Sequence, residues 1–134
     1  MNATTNANPY LRNQVLSAKP EELRLMLFDG AIRFLNNGRK GLENKNFDVS
    51  YTNISKAQKI VLELSSSLNR NVMPEVTEKL SALYTFIYRL LVDASTTREA
   101  KHLDEAIRLL KYERETWAML IEKATQQPAS SGAA

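Results

Sequence analysis

An all-α chain folded as an antiparallel four-helix bundle is what this sequence predicts, and three observations carry the prediction. Apolar residues recur at helical spacing in four separate stretches, and no stretch alternates as a half-buried strand does. Prolines and short polar breaks separate the stretches, and connections that short make consecutive helices antiparallel neighbours. At 134 residues the chain is one domain by length, and it can bury roughly two-thirds of the surface its unfolded form exposes.

The first helix is expected over residues 20–44. Pro20 suits the first helical position, where a missing N–H costs nothing, and Glu21 and Glu22 sit at the positive end of the helix dipole. At about 100° per residue, Leu23, Leu27, Phe28, Ala31, Phe34 and Leu35 share one face. Leu25 and Ile32 widen that face to an arc of roughly 200°, more than one helix needs for its own core. Gly30, Gly38 and Gly41 fall inside this helix, each at a cost of roughly 0.5–1 kcal/mol relative to Ala, and small residues there let another helix approach closely. Asp48 is the expected N-cap of the second helix, whose stripe Ile54, Ala57, Ile60, Val61, Leu64, Leu68 runs to the break at Asn69, Arg70 and Asn71. Pro74 restarts the chain. The third helix turns Val76, Leu80, Leu83, Ile87, Leu90, Leu91 and Ala94 inward and is expected to end near Ser95. Thr96 with Glu99 reads as a capping box for the fourth helix, with Leu103, Ala106, Ile107, Leu110, Trp117, Ile121 and Ala124 on its inner face. Residues 1–16 read as a flexible N-terminal segment, 17–126 as the bundle, and 127–134 as a disordered tail unable to bury enough apolar surface to order itself.

Composition excludes several classes. Without cysteine there is no disulfide, no thiolate nucleophile and no cysteine-based metal site, which fits a reducing compartment. The first eight residues lack the basic and apolar regions of a secretory signal, and no apolar run approaches the roughly 20 residues of a membrane span, so a cytoplasmic protein without membrane insertion is expected. The net charge of +3 comes from 18 basic and 15 acidic residues. They are interleaved along the chain, as on a solvated helix surface, so a clustered footprint for nucleic acid is not expected.

Catalytic and metal chemistry find little support. His102 is the only histidine, and Glu99 with His102 makes one copy of the Glu-x-x-His spacing, where a di-iron bundle needs two copies and further inward carboxylates. No Ser or Thr has an evident activating base and orienting group. The expectation is therefore no enzyme, no catalytic residue, no metal and no cofactor. What remains is apolar and aromatic surface beyond the needs of a bundle. Tyr84 and Tyr88 lie one turn apart on one flank of the third helix, Phe86 on the other, giving an apolar arc of about 240°. Tyrosine, apolar in body and polar at its tip, suits a surface alternately wet and occupied. On the second helix Tyr51, Ser55, Gln58, Leu62, Ser65 and Ser66 form a lightly polar outward strip.

Taken in order, Asn8-Pro9-Tyr10, then Pro20-Glu21-Glu22-Leu23 leading into Leu25-Met26-Leu27-Phe28-Asp29-Gly30, Lys56-Ala57-Gln58, Glu63-Leu64, Leu83-Tyr84, Arg89-Leu90, Ala94, Leu109-Leu110 and Arg114-x-x-Trp117 resemble the flagellar secretion chaperones of the FliS type. The resemblance spans nearly the whole expected ordered length. It implies a four-helix bundle that binds the C-terminal segment of flagellin in the cytoplasm, prevents premature polymerisation and is delivered with its cargo to the flagellar export gate. It also implies that Pro9 and Tyr10 belong to a lid over the site that cargo later occupies. The candidate cargo-binding residues are Pro9, Tyr10, Leu25, Ile32, Tyr51, Leu62, Tyr84 and Tyr88. Two departures stand out: Lys19, where the family usually has Ser or Thr as an N-cap, and the 69–74 loop, which lacks the glycine common there. A monomer is expected. A histidine phosphotransfer bundle and a homodimeric helical adaptor are the alternatives, told apart by phosphorylation of His102 and by concentration-dependent mass.

Overall fold

The computed structural model describes residues 19–126. Four helices follow one another, α1 Pro20–Glu43, α2 Phe47–Ser66, α3 Pro74–Thr97 and α4 Ala100–Gln126. Helix α1 packs on α2 and α4, and α3 packs on the same two, so the helices ring one core with neighbours in chain order. This is the expected four-helix bundle. The core is a column of residues from the four expected stripes, joined on the third helix by Tyr84, which was expected on a flank. Phe28, Ala31 and Leu35 of α1 meet Ile54, Ala57 and Leu64 of α2, Tyr84, Ile87 and Leu91 of α3, and Leu103, Ala106 and Leu110 of α4, all fully buried. The rings of Phe28 and Tyr84, 6.5 Å apart between centroids, meet across the middle of the bundle.

The glycines of α1 explain how closely it lies on α2. A Cβ on Gly41 would fall 2.8 Å from the backbone nitrogen of Ser50 and 3.0 Å from the carbonyl oxygen of Asn46. On Gly38 it would meet only the Ile54 side chain, at 3.4 Å, and ordinary contacts beyond that. The other seam of α1 is tied by charge. Arg114 of α4 donates to Asp29 at 2.9 Å, and Arg39 bridges Asp104 of α4 and Glu43 on its own helix.

Three boundaries differ from the sequence reading. Asn46, not Asp48, caps α2, its side chain accepting from the Val49 amide at 3.3 Å; Asp48 sits in the first turn, where the dipole favours a carboxylate. Helix α3 runs past Ser95 to Thr97, and Thr96 lies inside it, its hydroxyl donating to the Val92 carbonyl. The expected Thr96–Glu99 capping box is therefore absent, and the Glu99 amide donates to the Thr97 hydroxyl instead. What ends α3 is Arg98 in the left-handed conformation, its amide closing on the Ala94 carbonyl. Its guanidinium stacks 3.9 Å from the Phe47 ring centroid at the start of α2, which offsets the cost of a non-glycine residue there. Lys19 provides no side-chain cap, and α1 begins on backbone bonding alone.

Candidate functional site

The sequence stripes run further than the core that covers them. Val76 and Ala124, expected inside, are exposed, and Trp117, Ile121, Leu68 and Leu80 are only half-buried. All six are at the same end of the bundle, where α1 and α3 begin and α2 and α4 finish. There they surround an open groove of about 950 Å³, lined also by Leu23 and Leu27 of α1 and by Val72 and Met73 of the α2–α3 connection. Its walls come from all four helices. The groove is apolar because bundle helices of unequal length carry their inward stripes beyond the last full layer of packing, and among the described residues no element folds over the end to cover them.

The connection 67–73 shapes one wall. The Asn69 side chain accepts from the Asn71 amide and its carbonyl from the Val72 amide, and Met73 is held in the left-handed conformation at φ 48°. A glycine would adopt that conformation freely; Met73 does so at a cost of roughly 1–2 kcal/mol, and the turn leaves Val72 and Met73 57% and 65% exposed at the rim.

The groove floor is polar at one place. Arg24 of α1 donates to the Ser67 hydroxyl at 2.7 Å, and its guanidinium lies 4.6 Å from the Trp117 ring centroid. Beneath them Glu113 of α4 is buried. Burial pushes its carboxyl above the usual carboxylate range, and the Arg24 charge pulls it part of the way back. The Tyr84 hydroxyl is buried there without a hydrogen-bond partner, and burial raises its pKa.

Of the residues proposed from sequence, the six described ones, Leu25, Ile32, Tyr51, Leu62, Tyr84 and Tyr88, do not line this groove. Pro9 and Tyr10 lie outside the described residues. Tyr84 is fully buried, which corrects its reading as a docking residue: its position one turn from Ile87 and two from Leu91 turns the ring into the core rather than onto a flank. Tyr51 and Leu62 are exposed, at 64% and 54%, and Tyr88 is half-buried against the core. The 51, 55, 58, 62 strip lies on the flank of α2 away from the face, carrying Ile54 and Ile60, that approaches the α1 glycines, so it borders α3. Leu25 and Ile32 are half-buried on the flank of α1 that carries Asp29 and Arg39, bordering α4. Tyr51 and Leu62 therefore fall on one seam and Leu25 and Ile32 on the opposite one. His102 is half-buried in the first turn of α4, and among the described residues no group of three His, Cys, Asp or Glu side chains is placed to hold a metal.

The FliS family model, described as flagellar protein FliS, matches residues 1–124. The chain belongs to the FliS family. A flagellar secretion chaperone FliS from Bacillus subtilis is 33% identical over 128 residues, 93% of this chain and 95% of that protein. One from Salmonella typhimurium is 32% identical over 118 residues, 87% of each. A crystal structure of a flagellar chaperone from bacteria shares the fold, with a TM-score of 0.73 over 91% of this chain and 99% of that one at 18% identity. FliS proteins are flagellar secretion chaperones rather than enzymes, and a secretion chaperone acts on a protein cargo. Among the described residues no helix is long and apolar enough to cross a membrane.

Proposed function

We propose that this FliS-family chain binds the C-terminal segment of flagellin in the cytoplasm, keeps it from polymerising early and carries it to the flagellar export gate. The observation that supports this most is the groove at the bundle end: about 950 Å³, open, built from all four helices and walled by Leu, Val, Met, Ile and Trp side chains. Those are the dimensions and chemistry of a helix-in-groove site. An amphipathic segment unpaired outside a filament would self-associate through its apolar face, and covering that face prevents it.

A segment that folds on its carrier buries on the order of 1,000–3,000 Å², more than the groove alone offers. The same segment therefore runs on along the α2–α3 flank, past Leu62 and on to Tyr51 about 16 Å further along α2, with Tyr88 across the seam. Residues 1–16, with Pro9 and Tyr10, act as the lid over this surface until cargo displaces them; a covering segment competes with cargo rather than contacting it.

Purified flagellin seeded to polymerise tests the reading. Equimolar chain should suppress filament growth, and flagellin lacking its C-terminal segment should escape capture. Unchanged filament growth at excess chain would overturn it.

A further inference from the structure

We propose that Arg24 is a positioning residue for cargo: it acts as a strut that holds the groove open before cargo arrives. This rests on the groove being the cargo site. Pro20, Leu23, Arg24 and Leu27 occupy the spacing i, i+3, i+4, i+7, so Arg24 stands in the apolar stripe by which α1 lines the groove. An aliphatic side chain is the default there, because a partly buried guanidinium gives up hydration. Among the described residues no carboxylate lies within ion-pair distance of Arg24, and its Nη1 is buried with no partner, so the cation is not there to complete a salt bridge.

What Arg24 does touch are two opposing walls. Its Nη2 donates to the Ser67 hydroxyl, and that hydroxyl in turn donates to the Leu64 carbonyl at the end of α2. Its guanidinium plane covers the indole of Trp117 on α4. One rigid, planar fork thus spans from α1 to both α2 and α4 at the level where the core stops. Without it, apolar walls facing each other across an open gap are drawn together by the hydrophobic effect, and cargo must then separate them. A groove kept open in advance removes that cost from binding. Lysine has the charge but neither the fork nor the planar face, so the strut is specific to arginine.

The test uses the full chain and its only tryptophan. In Arg24→Met and in Arg24→Lys the indole should pack into the narrowed groove, giving emission at shorter wavelength and weaker acrylamide quenching in the absence of cargo. Both variants should bind a flagellin C-terminal fragment roughly tenfold more weakly, the equivalent of ordering one or two side chains on binding. Ser67→Ala, which removes only the α2 anchor, should move both readouts in the same direction by less; it keeps the question answerable if either arginine variant folds poorly. Emission moving to longer wavelength would show that Arg24 merely shields the indole, and wild-type affinity in Arg24→Lys would show that charge alone matters; either result overturns the strut. Should the unaltered chain not bind the fragment, the flagellin reading fails, while the spectra of the cargo-free variants still decide whether Arg24 holds the groove.

Discussion

Replacing Gly41 by alanine and, separately, Gly38 by alanine should change stability in opposite directions, although the two are three residues apart on one helix. Either substitution gains about 1 kcal/mol of helix propensity, because alanine loses less backbone entropy than glycine. On Gly38 the new methyl has its nearest neighbour, the Ile54 Cγ1, at 3.4 Å, so most of that gain survives and Gly38→Ala should be about 0.5–1 kcal/mol more stable. On Gly41 the methyl would sit 2.8 Å from the Ser50 nitrogen, 3.0 Å from the Asn46 oxygen and 3.2 Å from the Ser50 Cα. All three are backbone atoms of the first turn of α2, and Ser50 N–H to Asn46 C=O is one of that turn's hydrogen bonds. Nothing can rotate aside, so α2 must move off α1. An overpacking cost in the upper part of the usual range of about 1–3 kcal/mol outweighs the propensity gain, leaving Gly41→Ala about 1–2 kcal/mol less stable. Urea unfolding followed by circular dichroism, with unchanged m-values, measures both. A Gly41→Ala protein as stable as Gly38→Ala would refute the claim that the glycine sets the α1–α2 approach.

Tyr84→Phe removes a hydroxyl that is buried without a partner, so it should raise stability by about 1 kcal/mol; a loss in urea melts would mean the hydroxyl is bonded after all. Ile87 is fully buried and Tyr51 is 64% exposed, so Ile87→Ala should cost about 2–5 kcal/mol of stability and Tyr51→Ala within about 0.5 kcal/mol. Only Tyr51→Ala should weaken binding of a flagellin C-terminal fragment at unchanged fold, and equal affinities would remove Tyr51 from the site. Burial raises the folded-state pKa of Glu113, so folding favours its protonated form: the contribution is present at acid pH and lost as pH rises through the raised pKa. The stability of the wild type relative to Glu113→Gln should accordingly fall as pH rises above the ordinary carboxylate range, and a difference that rises with pH would reverse the sign assigned to this carboxyl.

The fold was legible because each helix carries its own stripe. Ile54, Ala57, Val61 and Leu64, or Leu103, Ala106 and Leu110, identify their buried faces by spacing alone, and all are buried. Boundaries were less legible where tertiary contacts decide them. Asn46 competes with Asp48 for the cap, and Arg98 ends α3 by stacking on Phe47, 51 residues away in sequence, which no local capping rule detects. The groove was hidden for a different reason. Spacing says which way Val76, Trp117 or Ala124 points but not whether a neighbouring helix reaches far enough to cover it, and helix ends meet only in three dimensions. The hint available was that the stripes of α3 and α4 begin or finish beyond those of their partners. Tyr84 failed as a site residue because a wide apolar arc does not reveal its own centre: the structure centres it nearer Tyr84 than Tyr88. Arg24 carried no signal at all, since a lone arginine in an amphipathic helix reads as surface.

Calorimetric titration of the full chain with a flagellin C-terminal fragment, alongside Val76→Glu, tests the central claim most directly. Val76 is 44% exposed on the groove wall, so a carboxylate there leaves the fold intact and places an unpaired charge against apolar cargo. The account predicts one-to-one binding with a negative heat-capacity change from apolar burial, and a loss of at least about tenfold in affinity for Val76→Glu at unchanged thermal stability. Binding of equal strength by both proteins, or none by the unaltered chain, would contradict it.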